Sequence, residues 1–182
     1  MNLPELYIYF SRFVPVEVLR KNYVQGQTPD HGAAQIQQEV LDIESDERIE
    51  TLSDYLFLGD QDFVLERLRN SRGQLLMLDS DRIDYQPDTD NGMKLSIALT
   101  IAEHYNQSNA SVVSELAVQN RCLETLRKIL LCLWRDAEQD HCPACMETGA
   151  PFEIRFLDLK QLNGLIGYTA FLDIKTCAYE LS

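Results

Sequence analysis

The sequence predicts an α+β protein, a two-layer sandwich in which an antiparallel sheet of two hairpins packs on one long helix, with an N-terminal arm. Three observations carry this prediction. First, the pattern from Gln74 onward indicates two strands, a long helix and two more strands. Second, apolar and other side chains alternate strictly from Met93 to Ala102. Third, apolar residues recur at helical spacing over 112–137. We assign 1–50 to the arm and 51–182 to the α+β domain.

Composition and charge limit the classes of partner. The chain has 182 residues, of which 45% are hydrophobic and 25% charged, and its net charge is -13. That charge repels nucleic-acid phosphates and anionic membranes, and no stretch combines Lys and Arg with aromatic residues as nucleic-acid grips do. We therefore expect neither sequence-specific nucleic-acid binding nor membrane binding. Met1 to Val18 contains charged residues and prolines, which fits neither a signal peptide nor a membrane span.

The N-terminal arm carries mixed signals. Leu6 to Ser11 alternates in side-chain character, which favours a short strand, whereas Val16 to Val24 has helical spacing. Glycine and proline residues predict a turn or linker at 25–32, and Ala33 to Leu41 predicts a further helix. The acidic run after it is interpreted as a solvated surface.

A helix and the first hairpin are predicted next. Aspartates can cap a helix over 61–71, whose last turn is basic, and Gly73 indicates where that helix stops. Leu75 to Tyr85 predicts an apolar strand, turn residues follow at 87–92, and Met93 to Ala102 returns as the second strand. These two strands are expected to pair as a hairpin.

The long helix is the central predicted element. Ser108, Asn109 and Ser111 are candidate N-caps, and Ser111 with Ser114 and Glu115 resembles a loose capping box. Apolar residues then form a stripe at helical spacing: Val112, Leu116, Cys122, Leu123, Leu126, Ile129, Leu130, Leu133 and Ala137. A helix of about 27 residues is about 40 Å long. Ile129 to Trp134 is apolar on nearly every side, so it needs cover from the arm or from another subunit; Trp134 belongs either to the core, which we prefer, or to a partner-binding patch.

A second hairpin closes the chain. Phe152 to Leu157 alternates between apolar and polar residues, and Asn163-Gly164 is typical of a type I′ turn. Ile166 to Lys175 then alternates over a further ten residues. Each hairpin has one apolar face, which the long helix is expected to cover.

The strongest candidate for chemistry is the pair Cys142 and Cys145, with His141 beside it. Two thiolates three positions apart fit tetrahedral zinc, but a structural site needs four ligands, and the sequence contains no second pair with this spacing. The missing ligands could come only from residues that the fold brings close, such as Cys132, Cys177 or His104. A redox role would place the first cysteine at a helix N-terminus, whereas this pair follows a helix. We prefer a loop with incidental thiols and predict no metal and no cofactor.

Other chemical patterns fail on spacing. Asp88 to Gly92 is similar to a calcium loop, yet with Gly92 as the sixth residue the first position falls on Pro87 and the twelfth on Ala98. The histidines are scattered, and the sequence shows no phosphate-binding glycine loop and no nucleophile elbow. We predict no catalytic residue and no enzyme; an active site assembled in space is the enzymatic alternative.

The order of elements resembles a family of structural proteins. A short helix, a hairpin, a long helix near Ser111 to Glu138 and a closing hairpin with the run Asn163-Gly164-Leu165-Ile166-Gly167-Tyr168 look like small tail-completion or tail-terminator proteins of phages and related contractile systems. The resemblance covers about 60–182 and includes no diagnostic motif, so no functional residue is carried over. It implies a non-catalytic, ring-forming subunit that contacts its own copies and tail-tube or neck proteins, in the cytoplasm during assembly and then in the virion.

The sequence therefore predicts a non-enzymatic assembly subunit, a phage or prophage tail terminator or head-tail completion protein. Ring subunits meet head to tail, so each needs two complementary patches. An acidic lumen would let DNA pass without sticking. The alternative function is a small adaptor or binding domain whose loop is stabilised by a metal at His141, Cys142 and Cys145.

Overall fold

The computed structural model describes residues 3–23, 31–57, 72–86, 92–105, 111–138, 145–146, 152–159 and 164–176. The helices in these ranges are α1 (Leu3–Ser11), α2 (Val16–Asn22), α3 (His31–Asp42) and α4 (Val112–Glu138). The strands are β1 (Leu52–Phe57), β2 (Gln74–Gln86), β3 (Gly92–His104), β4 (Cys145–Met146), β5 (Glu153–Leu159) and β6 (Leu165–Thr176). None of the helices described here is long and apolar enough to cross a bilayer.

The strands form one mixed sheet in the order β1-β2-β3-β6, and both β4 and β5 pair with the other side of β6. β1 runs parallel to β2, and the other pairs are antiparallel. The α+β class is confirmed, and so are both hairpins, β2 with β3 and β5 with β6. The parallel strand β1 was not predicted. A parallel neighbour needs a long crossover connection, and the connecting residues, with the helix predicted at 61–71, lie outside the described ranges.

The helices share one hydrophobic core with one face of the sheet. α4 lies across β3 and β6, and α2 packs against β1. The sheet contributes alternate residues to this core, including Leu76, Leu78, Leu95, Ile97, Leu99, Ile101, Ala170, Leu172 and Ile174. Leu6, Phe10 and Leu19 of the N-terminal segment belong to the same cluster and are fully buried. The segment predicted as an arm therefore packs into the core of the predicted domain.

The short strand favoured at Leu6 to Ser11 is wrong, because these residues belong to α1. The same segment also has apolar residues at i, i+3 and i+4, namely Leu6, Tyr9 and Phe10, and all three are buried. A helix buries these residues together, whereas a strand would turn Tyr9 to the opposite face from Leu6 and Phe10. The two other helices predicted in this region are confirmed as α2 and α3.

A buried polar bridge holds the middle of α4 on the sheet. The side-chain oxygen Oε1 of Gln74 accepts hydrogen bonds from Oγ1 of Thr51 and Oγ1 of Thr125, each at 2.8 Å. Gln74 and Thr125 are buried, so an unpaired polar group in either would be costly. The bridge links α4, β2 and the residue before β1, and it helps to fix which sides of α4 face the sheet and solvent.

Two glycines permit backbone geometry that other residues resist. Gly164 has φ +66° at the start of β6, as the predicted turn requires; its partner Asn163 lies outside the described ranges. Gly167 lies opposite Ala102, and a Cβ at this position would come 2.0 Å from the carbonyl oxygen of Ile101. β3 and β6 therefore approach each other closely where no side chain intervenes.

Candidate functional site

The start of α4 is set by a local hydrogen-bonded cap. Ser111 Oγ accepts a hydrogen bond from the backbone N–H of Ser114 at 3.1 Å, and Ser114 Oγ accepts one from the N–H of Ser111 at 3.0 Å. This is the reciprocal pattern of a capping box, with serine in place of the usual Glu or Gln. The helix thus begins at Val112 for a local reason, before its side chains reach the core.

The first turns of α4 extend beyond the core. Val112, Val113 and Leu116 are 76%, 75% and 56% exposed, and the first buried residue of the helix is Val118. The prediction placed Val112 and Leu116 in the core-facing stripe, and that placement is wrong. Correct helical spacing does not ensure burial here, because the cap starts α4 ahead of the residues that meet the sheet.

α4 carries a second apolar stripe beside its core-facing one. Val118, Cys122, Leu126, Ile129 and Leu133 face the sheet and are buried. At about 100° per residue, another set of apolar residues is rotated from them by roughly a quarter to a half of a turn: Val112, Val113, Leu116, Leu123, Leu131 and Trp134. Leu131 is 58% exposed. We call this set the outer stripe of α4.

An apolar groove lies between the outer stripe and β5. Its volume is about 340 Å³, and its walls are Leu123, Arg127, Leu130, Leu131, Trp134, Phe152 and Ile154. The rings of Trp134 and Phe152 meet edge to face, with centroids 6.2 Å apart. Trp134 Nε1 donates a hydrogen bond to Glu138 Oε1 at 2.8 Å, which orients the indole along the helix. The groove is thus bounded by rigid aromatic rings.

β5 continues this apolar surface at the edge of the sheet. Ile154 and Phe156 are 41% and 44% exposed, on the same side of the sheet as α4. Within the described ranges β5 pairs only with β6. An edge strand with exposed apolar side chains is a template for association with another chain.

Two exposed charges near the middle of α4, like Lys128 beside them, have no ion-pair partner among the described residues. They are Arg127, which lines the groove, and Glu124, three positions before it. By contrast, Arg121 pairs with Glu103 and Arg135 with Glu47. Arg127 and Glu124 are therefore available to groups from another chain.

An ion network ties the N-terminal segment to the end of α4. Arg12 Nη1 lies 2.7 Å from Asp136 Oδ2, and Arg12 Nε donates a hydrogen bond to Glu47 Oε2 at 2.6 Å. Arg135 also donates to Glu47, and the Tyr9 hydroxyl donates to Asp136 Oδ2 at 2.7 Å. Beside this network, Ile129, Leu130 and Leu133 of the apolar stretch that the sequence predicted are buried in the core together with α1, while Leu131 stays exposed.

The carboxylates of this network are held in their charged form. Burial alone would raise the pKa of Asp136, but hydrogen bonds from Tyr9 and Arg12 outweigh it and leave that pKa below its ordinary value. Burial likewise opposes ionisation of Glu47, yet hydrogen bonds from Arg135 and Arg12 lower its pKa. The network therefore stabilises the fold while both carboxylates are ionised.

The zinc candidates are not brought together in the described part of the chain. His141 and Cys142 lie outside it, and Cys145 opens β4, where its backbone pairs with Lys175. No group of three or more metal-binding side chains occurs among the residues described. Cys132 is a free thiol whose pKa is raised by burial and by the neighbouring Glu47. The metal-stabilised loop remains a prediction.

A scan against protein-family models and searches of curated proteins and of solved structures find no match to the chain. The surface of α4 and β5 is therefore the feature of the molecule that bears on its function. Sequence reasoning named Trp134 with Leu130, Leu131 and Leu133 as the alternative patch, but Leu130 and Leu133 are buried in the core. It missed Val113 and Ile154. The sequence pattern could have identified both residues as exposed, since Val113 lies off the core-facing stripe and Ile154 lies on a strand at the end of the sheet.

Proposed function

We propose that the protein is a non-enzymatic structural subunit that works by binding other protein chains. The observation that carries this proposal is the distribution of exposed apolar side chains. Of the seven large apolar residues exposed in the described ranges, all but Leu3 belong to α4 or β5: Val112, Val113, Leu116, Leu131, Ile154 and Phe156. Concentrated exposed apolar surface marks sites of protein association.

The specific form that we propose is a tail-terminator or head-tail completion protein of a phage or prophage, assembled as a ring. The order of a hairpin, a long helix and a closing hairpin supports it, because this order is what resembles the family. The net charge of -13 is compatible with a subunit past which DNA moves. The exposed strand β5 offers an edge for contact with a neighbouring subunit or with tube protein.

The test combines light scattering over a concentration series with electron microscopy of the chain mixed with a phage tail-tube protein. We expect oligomers that cap the ends of tube polymers. The test variant is Leu131→Glu, which puts a charge on the outer stripe without touching the core and should abolish capping. A strict monomer that leaves tube ends bare would refute the proposal.

A further inference from the structure

We infer that the outer stripe of α4 pairs antiparallel with the outer stripe of a second copy of this chain, about a two-fold axis near residues 124–125. This contact rests on the proposed role in assembly, names the chain itself as the first partner, and is separate from the head-to-tail contact by which a ring closes. A two-fold contact uses the same patch on both copies, so every favourable contact occurs twice.

The outer stripe is self-complementary when two copies run antiparallel. Around an axis between 124 and 125, Leu116 of one copy falls between Leu131 and Trp134 of the other, and Val113 falls about two residues beyond Trp134, or roughly 3 Å along the helix axis. Leu116 and Leu131 are the exposed leucines of the helix, at 56% and 58%. They are 15 positions apart in the sequence, or roughly 22 Å along the axis at 1.5 Å per residue. Within one chain they cannot touch, and between two antiparallel chains they meet.

The two ends of the outer stripe have complementary shapes. Its N-terminal end protrudes, because no residue of α4 before Val118 is buried. Its C-terminal end borders the groove of about 340 Å³. Antiparallel pairing sets the protruding end of each copy against the groove of the other, so one contact covers both exposed features of the helix. An unrelated partner helix in the groove would leave Val112 and Val113 in water.

Charge complementarity points to the same occupant. Glu124 and Arg127 are exposed and have no ion-pair partner among the described residues. Around the proposed axis, Arg127 of each copy lies about two residues, or roughly 3 Å, from the level of Glu124 of the other, which is within reach of the arginine side chain, so two ion pairs flank the axis. The helix dipoles also oppose each other in this arrangement, which is favourable at both ends.

The test is the oligomeric state of four purified full-length chains, measured by light scattering and by the fluorescence of Trp134, the only tryptophan in the sequence. The wild type should dimerise, with a blue-shifted Trp134 emission that follows the dimer fraction. Leu116→Glu and Leu131→Lys should each weaken dimerisation by roughly 100-fold, because each buries an unpaired charge twice per dimer. The double variant Leu116→Glu/Leu131→Lys should regain most of the lost affinity, because the two introduced charges meet only between chains.

Ala34→Glu is the matched control, since it adds negative charge at an exposed position of α3, outside the outer stripe, and should leave the dimer intact. Circular dichroism confirms that each variant is folded. A wild type that stays monomeric overturns the proposal, as do single variants that still dimerise, a folded double variant that does not recover, or a dimer with unchanged Trp134 emission. Because tube protein is absent from these measurements, failure of the dimer and failure of tube capping are separate results.

Discussion

Replacing Tyr9 with phenylalanine removes one hydroxyl and leaves the ring in place. That hydroxyl donates a hydrogen bond of 2.7 Å to the carboxylate of Asp136, a residue only 5% exposed. Hydrogen bonds to charged groups contribute about 1.5–3 kcal/mol. Arg12 still contacts the same oxygen in the variant, so we expect a loss near the lower end, about 1.5–2 kcal/mol of unfolding free energy. For a chain of this size the Tm should fall by about 3–8 °C.

The assay is urea unfolding followed by circular dichroism, with a reductant present to keep the cysteines as thiols. Tyr105→Phe is the matched control, because its hydroxyl donates to the neutral carbonyl of Ser111 at 3.3 Å. We expect that variant to lose less than about 1 kcal/mol. If Tyr9→Phe costs no more than Tyr105→Phe, the charged hydrogen bond does not stabilise the fold as we describe.

The pH dependence of the Tyr9→Phe effect follows from the lowered pKa of Asp136. Burial opposes ionisation of this carboxyl, and the hydrogen bonds from Tyr9 and Arg12 overcome that opposition. A carboxyl with a folded-state pKa below its unfolded value, about 3.9, stabilises the protein above that pH and loses this contribution as the pH falls through the folded value. The cost of Tyr9→Phe should therefore be constant from pH 7 to about pH 5 and shrink below about pH 4. A cost that stays unchanged down to pH 3 would contradict the assignment.

Three further predictions concern β6, α4 and the cysteine loop. Gly167→Ala should lower the unfolding free energy by about 1–3 kcal/mol, because its Cβ would clash with the Ile101 carbonyl; an unchanged urea midpoint would refute the close approach. Burial raises the pKa of Cys122 to about 12, so a maleimide at pH 7.5 should label it only after unfolding, as peptide mass spectrometry can show. A chelator should leave the Tm unchanged, as should Cys142→Ser; a fall in Tm with both would instead favour the metal-stabilised loop.

Elements with a strong local signal could be predicted from the sequence. The period-two pattern of Met93 to Ala102 was enough to place β3, because side chains that alternate in polarity suit a strand with two unlike faces. The polar turn before α4 placed the start of the helix within a few residues, and the structure identifies Ser111 as the cap among the predicted candidates. In both cases the deciding interactions lie within a few residues of each other, so the sequence pattern contains them.

Features that depend on distant contacts could not be predicted in the same way. β1 forms a strand because it pairs with β2, from which a long connection separates it in the sequence. Its six residues show no regular alternation in burial that would predict a strand. The exposure of Leu116 depends on where the sheet ends, which helical spacing does not report. Only part of the candidate site on α4 and β5 could therefore be predicted from the sequence, namely the stretch Ile129 to Trp134, which is apolar on nearly every side.

The bond between Tyr9 and Asp136 joins residues 127 positions apart, and this separation has a consequence for synthesis. At about 5–20 residues per second, Leu6, Phe10 and the rest of the buried side of α1 leave the ribosome roughly 6–25 s before the end of α4 exists to receive them. The N-terminal segment is thus synthesised first, but its contacts with α4 form late. Until then its apolar side chains are exposed to chaperones. A chain that ends before residue 136 lacks the carboxylate that Tyr9 and Arg12 contact.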